Sequence, residues 1–334
     1  MDGGHLSVIR ATFQLEPHGS AEALAIEESL GMNDGPGFVR GRVASEAGGV
    51  AVLEFPAANW GRNVPMLVSA LVAGEGVETR AFTRCRLVGL ELPAGWLPGP
   101  AFGAVPGRQV GVIVKPSLGL SPSEVAAVAA AAARGGARLV KDDELMGDPH
   151  WCPLLDRVKA VADVLPPEVV YCVNVTGPTA SLLDRAAAAV EAGATGLMVN
   201  AFAQGLDSVL TLREAGFGVP ILAHRVGSGP WARNDRFGVS GAVLAALLRQ
   251  CGSDYVLVGA FDGKLFDSDD DVRAQIDAAR PATVVLGGGI GPDNAKVQAD
   301  RAGGEGIVLL LGSRAYAADG GIEASVRATV AALP

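Results

Sequence analysis

Aromatic residues are scarce in this chain, at 5% of 334 residues, although hydrophobic residues as a whole reach 49%. A core of small aliphatic side chains suits helices packed closely on a sheet and argues against a β-sandwich. Cysteine is rarer still. The four thiols, Cys85, Cys152, Cys172 and Cys251, are far apart and form no CxxC pair, which excludes the usual zinc spacing. They read as reduced, mostly buried thiols of a cytoplasmic protein. Positive charge is in deficit, with 27 Lys and Arg against 36 Asp and Glu and a formal net charge of −9. Nucleic acid and anionic membrane surfaces are therefore poor partners. No apolar run approaches the roughly 18 residues of a membrane-spanning helix. The opening MDGGHLSVIR lacks the basic start and apolar core of a signal peptide.

What the chain does have is rhythm. From about residue 110 onward, short β-branched runs alternate with Ala/Leu-rich stretches of helical period. The eight runs are VGVIVK, RLVK, VVYCVNV, TGLMVNA, VPILAHR, SDYVLVGA, ATVVLGGG and GIVLLLGS, each followed by a helix. Ser121 and Pro122 form a plausible cap and first-turn pair for the first helix, and Gly193, Gly216, Gly252 and Gly303 close later ones. The runs are continuously apolar, as expected of parallel strands buried on both faces. Eight consecutive βα units predict a (β/α)8 TIM barrel over 106–334. A doubly wound open sheet is the second choice, weakened by the absence of a dinucleotide fingerprint after the first strand. Residues 1–105 break the rhythm with GGVAVLEF, RCRLVGLEL and the helical AEALAIEESLG and PMLVSALVAG. They predict a small α+β, ferredoxin-like domain joined through the Pro/Gly-rich AGWLPGPAFGAVPG.

In such barrels chemistry sits at the C-terminal ends of the strands. There the sequence places Lys115, Lys141-Asp142-Asp143-Glu144, Asn174, Asn200, His224-Arg225, Gly287-Gly288-Gly289 and Gly312-Ser313-Arg314. Alternation puts Lys141 and Asp143 on one side of the strand, and Glu144 can curl back over it. Two carboxylates suit a hard divalent cation, while an ammonium would repel it. A neutral lysine amine can instead take up CO2 as a carbamate, which is an anionic oxygen ligand. Gly288 and Gly289, with Gly312 and Ser313, offer backbone N–H groups to a phosphate. Arg225 offers a fork for a second anionic group. His224 is a candidate acid or base near neutral pH.

These segments carry a family pattern. GVIVKPSLGLSP (111–122), LVKDDELMGDP (139–149), ILAHRVG (221–227), VVLGGGI and LLLGS resemble, in order, the active-site segments of the RuBisCO large chain. The KDDEL wording is closer to the RuBisCO-like proteins, the form IV type, than to true RuBisCO. The resemblance implies Mg2+ on carbamylated Lys141, Asp143 and Glu144, with Lys115 as a catalytic acid/base. It implies a homodimer with shared active sites, Glu27 being contributed to the partner's site. It also implies substrate contacts from Arg225, Gly288, Gly289, Gly312 and Ser313, with which Asn174 and Lys264 are counted. Four departures argue against CO2 fixation. Ser117 replaces the second lysine of KPKLG, Gly74-Glu75 replaces the CO2-holding asparagine, the loop after the sixth strand reads GAFDGKLF and not the carboxylase form, and Leu257 falls where a histidine is expected. The expected activity is enolisation of a phosphorylated keto sugar by an isomerase, tautomerase or decarboxylase. The alternatives are a non-catalytic binding or regulatory protein of this fold, an unrelated metal-dependent aldolase barrel, and last a true carboxylase.

Overall fold

The structure is a computed structural model and describes residues 7–28, 40–72, 74–317 and 319–333. Its contacts divide the chain into two compact units, Met1–Leu97 with Ser228–Leu247, and Pro98–Gly227 with Leu248–Pro334.

The first unit holds a five-stranded sheet. Strands are numbered along the chain: β1 (Val8–Glu16), β2 (Arg42–Ala47), β3 (Val50–Pro56), β4 (Arg84–Glu91) and β10 (Phe237–Val239), in the order β10-β4-β1-β3-β2. All pairs are antiparallel except β10 with β4. The expected segments GGVAVLEF and RCRLVGLEL form β3 and β4, and AEALAIEESLG supplies the helix Ala21–Glu27. The sequence pattern runs a single helix from Gly238 to Gly252. The structure instead turns Phe237–Val239 into β10 and begins the helix at Gly241. Gly238 has φ +92, and a Cβ there would lie 2.3 Å from the Trp231 carbonyl oxygen, so this glycine serves a strand and not a helix start.

The second unit is the predicted barrel. Its strands are β5 (Arg108–Ile113), β6 (Leu139–Lys141), β7 (Val170–Asn174), β8 (Gly196–Asn200), β9 (Ile221–His224), β11 (Tyr255–Gly259), β12 (Thr283–Gly287) and β13 (Ile307–Leu311). All neighbours are parallel and β13 closes onto β5. The helix Pro122–Gly135 starts on a capping box in which Ser121 accepts from Glu124 N–H and the Glu124 carboxylate accepts from Ser121 N–H. All four cysteines are free and buried. No helix among the described residues is long and apolar enough to cross a membrane.

The barrel interior carries a layer of apolar side chains: Leu139, Cys172, Met198, Leu222, Tyr255, Leu257, Val285, Val308 and Leu310. Each is at most 8% exposed, so the barrel is filled and has no open pore. The faces turned toward the helices are also packed. There Arg157, on the helix Leu154–Ala162, is fully buried against Asp142. Its Nε and Nη2 lie 3.2 and 3.1 Å from Asp142 Oδ2, and its remaining hydrogens reach the carbonyls of Cys152 and Gly147. Asp142 also accepts from the Tyr171 hydroxyl at 2.7 Å and from the Asn174 N–H at 3.0 Å. Replacing the arginine leaves that carboxylate buried without its counter-charge. Arg157→Met should lower unfolding free energy in urea by about 3–5 kcal/mol. A loss below about 1 kcal/mol would contradict the clamp.

Candidate active site

Alternation along the strands builds the mouth of the barrel. Residues two apart on a strand share a side. One pleat beyond the inward-facing Leu139, Cys172, Met198, Leu222, Leu257, Val285 and Leu310 stand Lys141, Asn174, Asn200, His224, Gly259, Gly287 and Gly312. One pleat beyond Ile113 stands Lys115. The strand-end residues therefore gather in one ring above an apolar floor.

Within that ring Lys141 is fully buried. Its Nζ donates to the Asp142 carbonyl at 2.6 Å and lies 3.6 Å from Glu144 Oε2. Burial pulls its pKa below the ordinary lysine value, against the opposing pull of Glu144, Asp143 and Asp142, and Lys115 adds to the depression. Asp143 forms a short ion pair with Lys115 Nζ and accepts from the Leu145 N–H at 3.0 Å. Burial alone would raise the Asp143 carboxyl. The Lys115 hydrogen bond, the Leu145 N–H and the two lysine charges outweigh it and hold the carboxyl below the usual range. Lys115 Nζ also donates to Ser117 Oγ at 2.8 Å, so the residue that departs from the family pattern still touches the lysine.

Two asparagines hold the acidic loop from behind. Asn200 Nδ2 donates to the Glu144 carbonyl at 2.8 Å, and Asn174 Nδ2 reaches the same oxygen at 3.2 Å. Asn174, expected among the substrate contacts, here uses its amide on the backbone that carries Asp143 and Glu144. The phenol of Tyr316 bridges the end of β5, donating to the Ile113 carbonyl at 2.7 Å and accepting from the Lys115 N–H at 3.1 Å. Tyr316 carries no signal in the sequence, because nothing local ties it to residues some 200 positions earlier.

The remaining candidates fall as follows. His224 Nδ1 accepts from the Val226 N–H at 3.1 Å, which leaves Nε2 to carry the proton, 3.5 Å from Glu144 Oε2. Burial, then the charges of Lys141, Arg225 and Lys115, push its pKa well below the ordinary value. Gly288 and Gly289 adopt φ of +106 and +113, which only glycine takes without strain. The Lys264 N–H donates to the Gly288 carbonyl at 3.0 Å, so the loop after β11 lies against this turn, with the Lys264 side chain exposed. Gly312 and Ser313 open the short helix Ser313–Tyr316. Arg314 and Asn294 both donate to the Gly289 carbonyl, pinning the turn. Arg225 is already engaged, by Asp267 and Gln275. Glu27 is exposed at the end of its helix in the other unit.

Whether these residues suit a metal is decided by Lys141. Among the described residues no group of three or more His, Cys, Asp and Glu side chains is arranged to hold an ion. Asp143 and Glu144 supply two carboxylates, and Glu144 Oε2 is buried without a hydrogen-bond partner. A buried amine whose charge is disfavoured is the form that reacts with CO2, and the carbamate adds the third oxygen ligand. The donor set fits a hard cation on that condition.

A filled parallel barrel with lysines, carboxylates and glycine turns gathered at its C-terminal mouth defines a (β/α)8-barrel whose polar residues converge at one end. Residues 102–289 match the family model of the ribulose bisphosphate carboxylase large chain, catalytic domain, and the chain belongs to that family. It is 34% identical over 241 residues to the ribulose bisphosphate carboxylase-like protein of Allochromatium vinosum, covering 66% of this chain and 52% of that one. It is 33% identical over 265 residues to the 2,3-diketo-5-methylthiopentyl-1-phosphate enolase of Geobacillus kaustophilus, covering 73% of this chain and 62% of that one. The chain thus spans little more than half the length of these relatives. Among solved structures it resembles a rubisco-like protein (MtnW) of Alicyclobacillus acidocaldarius, with TM-score 0.82, 26% identity and coverage of 98% and 93%.

The His224 geometry has a spectroscopic consequence. Folding disfavours the imidazolium, so below about pH 6.5 the folded protein binds fewer protons here than the unfolded chain. The group then costs stability as pH falls through that value. Nitrogen-15 shifts of His224 in the metal-free protein at pH 6 should report a neutral ring protonated at Nε2. An imidazolium pattern at that pH would rule out the arrangement.

Proposed function

We propose that this chain catalyses Mg2+-dependent enolisation of a phosphorylated keto sugar, completed as an isomerisation, tautomerisation or decarboxylation and not as CO2 fixation. The observation that carries the reading is the fully buried Lys141 beside Asp143 and Glu144, with Lys115 seated on Asp143. Carbamylated Lys141, Asp143 and Glu144 would hold the Mg2+, which supplies Lewis acidity for the charge that develops on the substrate oxygen.

The chain's own groups do the rest. Lys115, on the mouth side of the ring and held by Asp143 and Ser117, moves the proton at the carbon next to the carbonyl. Neutral His224 presents an N–H to oxygen at the same mouth. Gly288, Gly289, Gly312 and Ser313 take the phosphate through backbone N–H groups, and exposed Lys264 stands beside them. Asn174 and Asn200 keep the acidic loop in place. Leu257, buried in the barrel layer where the carboxylase pattern calls for histidine, supports a site that enolises without adding CO2. Family membership supports a homodimer in which exposed Glu27 of each chain completes the partner's site.

The test is exchange of the substrate's α-proton for deuterium, followed by proton NMR, with protein treated with CO2 and Mg2+. A panel of ketose phosphates should include at least one that exchanges. Lys141→Ala and Lys115→Met should each slow that exchange by about 10²–10⁴-fold. A folded wild-type protein that exchanges none of the panel would sink the proposal.

A further inference from the structure

Arg225 offers the second anionic subsite in the sequence, yet its guanidinium is closed off by a partner 42 positions away. Its Nη2 lies 3.2 Å from Asp267 Oδ1 and 2.8 Å from Oδ2, and its Nη1 donates to Gln275 Oε1 at 3.1 Å. Gln275 Nε2 in turn donates to Asp267 Oδ1 at 2.7 Å, which closes a triangle. The two charged side chains are 12% and 3% exposed. Phe266 flanks the guanidinium, whose carbon is 5.6 Å from the ring centroid. The end of β11 makes room for the pair, because a Cβ on Gly259 would lie 3.0 Å from Asp267 Oδ2 and 3.4 Å from Arg225 Nη1. The charge is thus met by an internal carboxylate, and its hydrogens are directed at an internal amide.

We infer that Asp267 is a specificity-determining residue, which cancels Arg225 and makes the site discriminate against a substrate bearing a second anionic group. An arriving phosphate meets a neutral pair at this end of the mouth. It would have to displace a buried carboxylate or lie against its negative charge. At the glycine turn the carboxylate beside it, Asp293, is exposed and paired with Arg314, so Gly288-Gly289 remains the place for one phosphate. The substrate is then a monophosphate whose far end is uncharged. This deepens the proposed function and rests on it only in taking the ligand to be a sugar phosphate.

The experiment is calorimetric binding of ribulose 5-phosphate and ribulose 1,5-bisphosphate to the full chain, wild type and Asp267→Asn. Asparagine keeps an oxygen for Gln275 and removes only the charge. The wild type should bind the monophosphate at least as tightly as the bisphosphate. Asp267→Asn should raise bisphosphate affinity at least about tenfold and change monophosphate affinity by less than about threefold, since a guanidinium released from its carboxylate is a strong phosphate ligand. A wild-type preference of tenfold or more for the bisphosphate overturns the inference without recourse to any variant. A folded Asp267→Asn protein with the wild-type ratio overturns it too, while leaving the enolisation reading standing. Binding of neither sugar to either protein overturns the inference, and the deuterium-exchange panel then decides the enolisation reading separately.

Discussion

The four contacts on the Asp142 carboxylate hold the mouth of the barrel together. Arg157 comes to it from the following helix, and the Tyr171 hydroxyl and Asn174 N–H come from β7. A carboxylate so buried would be prohibitively costly without them. Once it is fixed facing the helices, the pleat leaves its neighbours no choice. Lys141 must face the barrel interior, and Asp143 must lie on that side as the strand gives way to loop. The same arginine ties down Gly147 and Cys152, so the loop after β6 is held at both of its ends. Asn174 and Asn200 then take the Glu144 carbonyl. The face of this segment that carries Lys141 and Asp143 is therefore set from the opposite face.

Much of this was legible because parallel barrel strands write a simple pattern. Continuous apolar runs ending in polar or glycine residues located all eight strands to within a residue or two, and the ring of strand ends came with them. The failures share a cause. The segment at Gly238 carries the composition of a helix start, but its pairing with β4 depends on a strand some 150 positions earlier. The role of Asp142 was not seen, since the four-residue KDDE looks locally like one charged cluster and only the tertiary partner Arg157 separates its second residue from the rest. Arg225 was recognised as a guanidinium at a strand end, but Asp267 and Gln275 come from the far side of β11. Periodicity reports which face a residue occupies and is silent about which charge it meets there.

The proposed function sets two kinds of anion recognition against each other at the mouth. At Gly288 and Gly289 the backbone itself would do the recognising, with positive φ values and a carbonyl pinned by Arg314 and Asn294. Such a device depends on local conformation and tolerates a net-negative protein around it. At Arg225 recognition would depend on a single side-chain charge, and one carboxylate suffices to remove it. On this reading, what the chain accepts at one end of a substrate could change while the other end stayed as it is.

The apolar layer beneath the ring has a consequence for proton traffic. Leu139, Met198, Leu222, Leu257, Val285, Val308 and Leu310 make this floor apolar, and burial pushes its two ionisable members, the Cys172 thiol and the Tyr255 phenol, further toward their protonated forms. On the proposed function, a proton lifted from the substrate would find no ionised acceptor in this floor, and would return to the same molecule at another carbon or leave by the way the substrate came in. The competition between internal return and escape to solvent would then be decided at the rim.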